Sequence, residues 1–240
     1  MNRILTTSLV GTATAAALVL ATCAPALAGT ATPSPSPSKS PQTLSSVQAK
    51  AKTAIDDRLG KLSTAVTKVT DAKGISSSDS STLLSRLNAD VSGLKSLESK
   101  IAADTTLATA SADLKSVYTT YRIYAVALPQ AHIVATADRM TSTAIPKLTA
   151  AESKLSARLS GKGSAKSTPA LQADLADMSA QISAATSALQ GVSSGTLAVT
   201  PSAFNSNHSV LKSIGANVKT ALADLKKAAT DAKTIRAALK

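Results

Sequence analysis

Residues able to do chemistry are few in this chain, and most of them crowd into one stretch. VYTTYRIYAVALPQAH, from Val117 to His132, holds all three tyrosines, Tyr118, Tyr121 and Tyr124, and one of the two histidines. On a helix, Tyr121 and Tyr124 share the apolar face of Leu114, Val117 and Leu128, while Tyr118 and His132 stand at its boundary. At about 100° per residue His132 returns to nearly the same side as Tyr121. Pro129 removes the amide donor to the carbonyl of Ala125 and crowds it, so a kink or break is expected there. A freed carbonyl, phenol hydroxyls and an imidazole then converge on one small polar pocket, with Tyr118, Tyr121 and His132 as its candidate ligand-binding residues. The competing reading is packing, with the rings filling the widest layer of an alanine-lined core.

A second pattern is electrostatic. Lys212, Lys219, Lys226, Lys233 and Lys240 recur every seven residues. They run beside a two-position apolar seam, Leu211, Val218, Leu225, Ala232 and Leu239 with Ile214, Ala221, Ala228 and Ile235. The lysines form a row of positive charge along one side of a helix. As a solvated face they keep an alanine-rich helix soluble; as a site they offer a rail for a polyanion. Asp224 and Asp231 lie on a flank, where pairing with Lys227 weakens the rail. The whole chain is basic, at formal charge +12. Outside an exporting cell that charge fits an anionic cell-wall polymer or an acidic lipid surface. Nucleic acid fits poorly, because aromatics to stack on bases are nearly absent and no recognition module is visible.

The minimum parts of an enzyme are missing from this reading. His132 and His208 stand far apart without a ligand one helical turn away, so no zinc site of helical spacing forms. No glycine-rich phosphate loop occurs, and no cofactor or metal is implied. Asp56 and Asp57 are neighbours that point apart on a helix and read as surface charges rather than an acid/base pair. His208, beside Asn205 and Asn207, reads as part of an exposed polar first turn. A hydrolase or lyase stays only as a remote alternative to a non-enzymatic protein.

The elements that must position these residues are helices throughout. Hydrophobic residues make up 44% and aromatics 2% of the chain, a balance of alanine and leucine that favours helix over sheet. Leu44, Val47, Ala51, Ile55, Leu59, Leu62, Val66 and Val69 step by threes and fours, and Lys73-Gly74-Ile75 follows as a C-terminal cap. Ser78 caps a second helix facing inward through Leu84, Leu87, Val91, Leu94, Leu97 and Ile101. Asp104 or Thr105 restarts the pattern through Leu107, Leu114 and Leu128. Beyond Pro129 it resumes as Ile133, Ala137, Met140, Ala144, Leu148, Leu155 and Leu159, ending at Gly161-Lys162-Gly163. Thr168-Pro169 and Thr200-Pro201 are cap-plus-first-turn signals. After the first, Leu171, Leu175, Met178, Ile182, Ala185 and Leu189 face inward; after the second, one helix of about 39 residues and about 58 Å runs to the C-terminus. The expected fold is all-α: an elongated up-and-down antiparallel bundle of five or six long helices over 44–240, with a coiled-coil-like C-terminal helix.

Two segments precede that bundle. Residues 1–28 carry Arg3, an apolar run from about Ser8 to Thr22, the breaker Pro25 and the small-x-small site Ala26-Leu27-Ala28, the pattern of an export signal cleaved after Ala28. The apolar run is too short for a comfortable membrane span, so the mature chain is expected to have none. Leu20-Ala21-Thr22-Cys23 offers an alternative, since it resembles a bacterial lipobox that would place a lipid anchor on Cys23. Cleavage after Ala28 leaves a chain without cysteine, stabilised by packing alone. Residues 29–43, GTATPSPSPSKSPQT, read as a Pro/Ser-rich extended spacer suited to standing off a membrane or threading a cell wall. YRIYAVALPQAHIVATADRM in this setting resembles uncharacterised secreted all-helical proteins of actinobacteria, over roughly Gly74 to Leu159; the resemblance implies an exported all-helical domain and no activity. The expected role is an exported, non-enzymatic binding or spacer protein at the cell envelope or cell surface. The alternative is an extracellular carrier with a ligand near Tyr118, Tyr121 and His132.

Overall fold

The structure is a computed structural model that describes residues 42–161 and 164–240. The export signal, Cys23 and the spacer up to residue 41 lie outside the described residues, as do Lys162 and Gly163. Among the described residues every regular element is helical. Six long helical runs carry the fold: α1 (Leu44–Thr70), α2 (Ser77–Ala103), α3 (Leu107–Thr119), a run from Ile123 to Ser160 containing α4 (Leu128–Arg139) and α5 (Ile145–Ser160), α6 (Pro169–Leu189) and α9 (Val210–Ala238). Two short helices, α7 (Val192–Ala198) and α8 (Pro201–Ser206), link α6 to α9.

Caps fix where these helices start. Thr43 opens α1 with a capping box to Ser46. Ser76, Thr106, Thr168 and Thr200 accept from the amides of Asp79, Thr109, Leu171 and Ala203, so each satisfies a donor left free in the first turn. The caps of α2 and α3 thus lie two residues before and one or two residues after the expected Ser78 and Asp104 or Thr105. Gly74 sits at φ +91°, where a side chain is strained, and its carbonyl accepts from Ser142 Oγ at 2.8 Å. The α1–α2 turn is thereby tied to the long run.

The long helices pack antiparallel, and they segregate into two sets of three. α1, α2 and α3 enclose one apolar cluster through Ile55, Leu62, Leu87, Leu94 and Val117. α5, α6 and α9 enclose another through Leu155, Met178, Ile182, Ala228 and Ile235. Between them α4 is buried over a broad arc: Val134 joins the first cluster, whereas Ile133 and Ala137 join a middle cluster with α7 and the first half of α9. The seam of α9 is buried at Leu211, Val218, Ala221, Leu225, Ala228, Ala232 and Ile235, and it runs along α6.

Three expectations about continuity need correction. The helix before Pro129 breaks seven to nine residues earlier, at Thr120–Arg122, where Arg122 adopts the left-handed conformation at φ 47°. Pro129 itself is absorbed: the turn Ile123–Ala127 is widened, and the Leu128 amide donates to the Ile123 carbonyl five residues back. Pro146 repeats the device, with the Ile145 amide on the Met140 carbonyl across Met140–Ala144. The C-terminal helix is not one rod from Pro201. Asn207 Oδ1 takes the Ser209 amide at 3.0 Å and its hydroxyl at 2.7 Å, a side-chain turn that competes with the helix ladder. α9 therefore starts at Val210 and its 29 residues span about 43 Å.

Candidate functional site

The break before the long helix decides where the tyrosines go. Had the helix continued, Tyr124 would follow Val117 and Tyr121 inward. Resetting the phase at Arg122 gives those inward positions to Ile123 and Val126, and Tyr124 is turned out at 44% exposure. The break is clamped from α8: Arg122 Nε donates to Asn205 Oδ1 at 2.7 Å, and Asn205 Nδ2 donates to the Thr119 carbonyl at 3.1 Å. Arg122 also lies over Phe204, whose ring meets His208 edge-on, so His208 belongs to the α8–α9 link.

The expected convergence of Tyr118, Tyr121 and His132 does not occur. Each lines a different cleft. Tyr118 borders a shallow groove with Lys50, Thr53, Asp57 and Arg58. His132 is exposed on α4 and faces α1 across an apolar cleft of about 300 Å³ flanked by Lys61 and Lys68. Tyr121 lines a third cleft of about 320 Å³ with Arg86 and Asp90 of α2, Gln130 of α4 and the α7–α8 link. The physical reason is the same phase reset, which separates residues that one continuous helix would have aligned.

Around Tyr118 the structure builds an aromatic clamp instead. The Arg58 guanidinium, with the residue only 8% exposed, sits 4.6 Å from the Tyr118 ring centre and 5.2 Å from that of Tyr124. Its Nη1 donates to the Ala54 carbonyl at 2.7 Å, and the faces of the two rings supply attraction to the buried charge. The Tyr124 hydroxyl donates to Asp57, which pushes the phenol pKa up. Asp56 instead pairs with Lys52 at the surface. The neighbours Asp56 and Asp57 thus point apart as expected, but Asp57 is tied into the clamp.

The Tyr121 cleft holds the most perturbed carboxyl of the described residues. Among the described residues Asp90 accepts no side-chain hydrogen bond and has no cation within ion-pairing distance; Arg86, one turn earlier, acts on it only at longer range. Burial pushes its pKa up to about 6, against the opposing pull of Arg86. Desolvation and the Asp90 charge together raise the Tyr121 phenol. The Tyr121 ring lies against Gly93, where an added Cβ would meet it at 2.7 Å. Gln130 is 4% exposed, and its amide nitrogen donates to the carbonyls of Thr196 at 2.7 Å and Val199 at 2.6 Å, fixing the wall opposite α2. Sequence reasoning missed Asp90, since a lone carboxylate on a helix carries no pattern of its own.

The lysine row is placed as a row. Lys212, Lys219, Lys226, Lys233 and Lys240 are all exposed, one position after each buried residue Leu211, Val218, Leu225, Ala232 and Leu239. None forms an ion pair among the described residues, whereas Lys227 approaches Asp224 at 3.8 Å.

A nucleophile-elbow spelling also escaped the sequence reading: Gly191-Val192-Ser193-Ser194-Gly195. Here it opens α7 with no strand ahead of it, and Ser193 Oγ donates to Asp138 Oδ1 at 2.7 Å rather than meeting an imidazole. The other oxygen of Asp138 accepts from the Ser76 amide at 3.0 Å, so this carboxylate ties α4 to α2 and α7. Among the described residues no cluster of metal-ligating side chains forms, and no helix is long and apolar enough to cross a membrane. Comparison with known protein families, curated proteins and solved structures finds no match to this chain.

Proposed function

We propose that this protein is an exported, non-enzymatic helical protein of the cell envelope, which holds an anionic cell-wall polymer along the lysine face of α9. The observation that carries this reading is the row itself: five exposed cations at seven-residue intervals, without an ion-pair partner among the described residues, flanking the buried seam. Each step advances about 10.5 Å, so the four lysines on α9, Lys212 to Lys233, cover about 32 Å of surface, and Lys240 follows just past the end of the helix. That spacing matches the Debye length of about 10 Å at 0.1 M salt, so neighbouring lysines reinforce one another at low salt and act separately at high salt. The Pro/Ser segment 29–43 supports the same reading as a spacer between an attachment point and the bundle.

The test is retention of the purified chain on isolated cell wall, on anionic lipid vesicles and on neutral vesicles across a salt series. Changing Lys219, Lys226 and Lys233 together to Gln keeps helix propensity nearly constant. Cell-wall retention at low salt is expected to fall several-fold in this variant, with a shallower salt dependence. Unchanged retention would make the row a solvated face, and equal loss on anionic vesicles would move the partner to acidic lipid. A second reading, an extracellular carrier, is favoured by one feature, the cleft beside Asp90.

A further inference from the structure

We propose that the cleft formed by α2, the Thr120–Arg122 break and the α7–α8 link binds a small molecule carrying a primary ammonium group on a short apolar body. This site deepens the carrier reading and is independent of the lysine row. Its central feature is a carboxylate left without a protein partner. Asp57, Glu98, Asp113 and Asp138 each meet a donor or a cation from another helix, whereas Asp90 is partly withdrawn from water and meets none among the described residues. Asp104, Asp113 and Asp231 each have a buried oxygen without a partner, but none of the three borders one of the described clefts.

The groups around Asp90 suit an ammonium in kind and in place. Both carbonyls that Gln130 could cross-link are already taken by its amide nitrogen, so its oxygen is the atom left as an acceptor on the cleft wall. The Tyr121 ring, held against Gly93, offers an aromatic surface beside the carboxylate. Val126, Ala127, Val199 and Pro201 supply an apolar floor for a few carbons. The volume, about 320 Å³, lies at the small end of ligand pockets. Among the described residues Arg86 on the rim is the cation that acts on Asp90, and it stands where a carboxylate on the same ligand would be received. An alkylamine and an amino acid share the ammonium chemistry, and Arg86 distinguishes them.

The experiment is calorimetric titration of the full chain with n-butylammonium, L-norleucine and, as the uncharged counterpart, n-butanol. Saturable binding of at least one ammonium probe is expected at pH 8, with none for n-butanol. Lowering the pH to 5 protonates Asp90 and leaves the probe charged, so affinity should fall about tenfold. Asp90→Asn should weaken binding by at least as much. Tighter binding of norleucine that Arg86→Gln abolishes assigns an amino-acid ligand, whereas equal or weaker norleucine binding assigns a simple amine. Ala89→Phe, at an exposed rim position, should fill the cleft and remove binding while helicity stays native. Absence of saturation by both ammonium probes, equal binding of n-butanol, or undiminished affinity in Asp90→Asn would overturn the proposal. Each of these outcomes leaves the polyanion reading untouched, because no residue of the α9 row is changed.

Discussion

Replacing Asp90 by Asn should make the protein more stable at neutral pH, and the size of the gain follows from its surroundings. The Asp90 pKa stands at about 6 against an ordinary value of 3.8, chiefly because burial disfavours the charged carboxylate. A difference of about two units at 1.36 kcal/mol each gives about 3 kcal/mol as a ceiling. The carboxylate is still reached by cleft water, and screening reduces the expected gain to about 1–2 kcal/mol. The sign is fixed by proton counting. Between pH 4 and 6 the folded state holds more proton at this site than the unfolded chain, so stability from Asp90 is present at low pH and lost as pH rises through about 6. Asp79, whose carboxyl is also raised by burial, contributes a slope of the same sign in both proteins and cancels in the comparison. Urea unfolding followed by circular dichroism should therefore show Asp90→Asn about 1–2 kcal/mol more stable at pH 8, converging on the wild type near pH 4; in thermal unfolding at pH 8, at about 2–4 °C per kcal/mol, Tm should rise by about 2–8 °C. Equal stability at pH 8, or a gain independent of pH, would refute the reasoning. Stabilisation joined to loss of ammonium binding would be the trade expected of a binding group held at a cost to the fold.

Other consequences can be checked with single variants. Gly60→Ala, in the middle of α1 with nothing within 4 Å of the new Cβ, should stabilise by about 0.5–1 kcal/mol, whereas Gly93→Ala drives a methyl into the Tyr121 ring and should cost about 1 kcal/mol net while narrowing the Asp90 cleft. Leu94→Ala, at a fully buried position of α2, should lose about 2–5 kcal/mol by chemical denaturation. Tyr121→Ala should lose less, about 1–3 kcal/mol, because the ring is only partly covered and borders an open cleft. Asn205→Ala removes both the acceptor for Arg122 and the donor to the Thr119 carbonyl, and a destabilisation of about 1–2 kcal/mol should be accompanied by faster amide exchange around Thr120–Arg122.

Helix type and inward faces were legible because they repeat. Leu62, Leu94, Met178 and Leu225 each belong to a series whose spacing survives any local error, and each is buried. Thr168-Pro169 and Thr200-Pro201 were legible because a hydroxyl cap and a preset φ act within four residues. What was hidden depends on single residues whose effect is set from a distance. Nothing in Thr119-Thr120-Tyr121-Arg122 announces a break; Arg122 takes a left-handed backbone while Asn205, more than eighty residues later, meets both its side chain and the Thr119 carbonyl. Pro129 drew attention as the obvious breaker, yet one widened turn lets the helix pass it. The cost of that misplacement is a whole phase: Tyr124 goes outward to Asp57, Tyr118 closes over Arg58, and His132 turns to Lys61 and Lys68. The same break leaves Tyr121 alone beside α2. Its ring can lie there only because Gly93 has no side chain, and its arrival brings the phenol to Asp90. The candidate site is therefore a product of the interruption, and only the intact seven-residue lysine pattern of α9 could be read without knowing the fold.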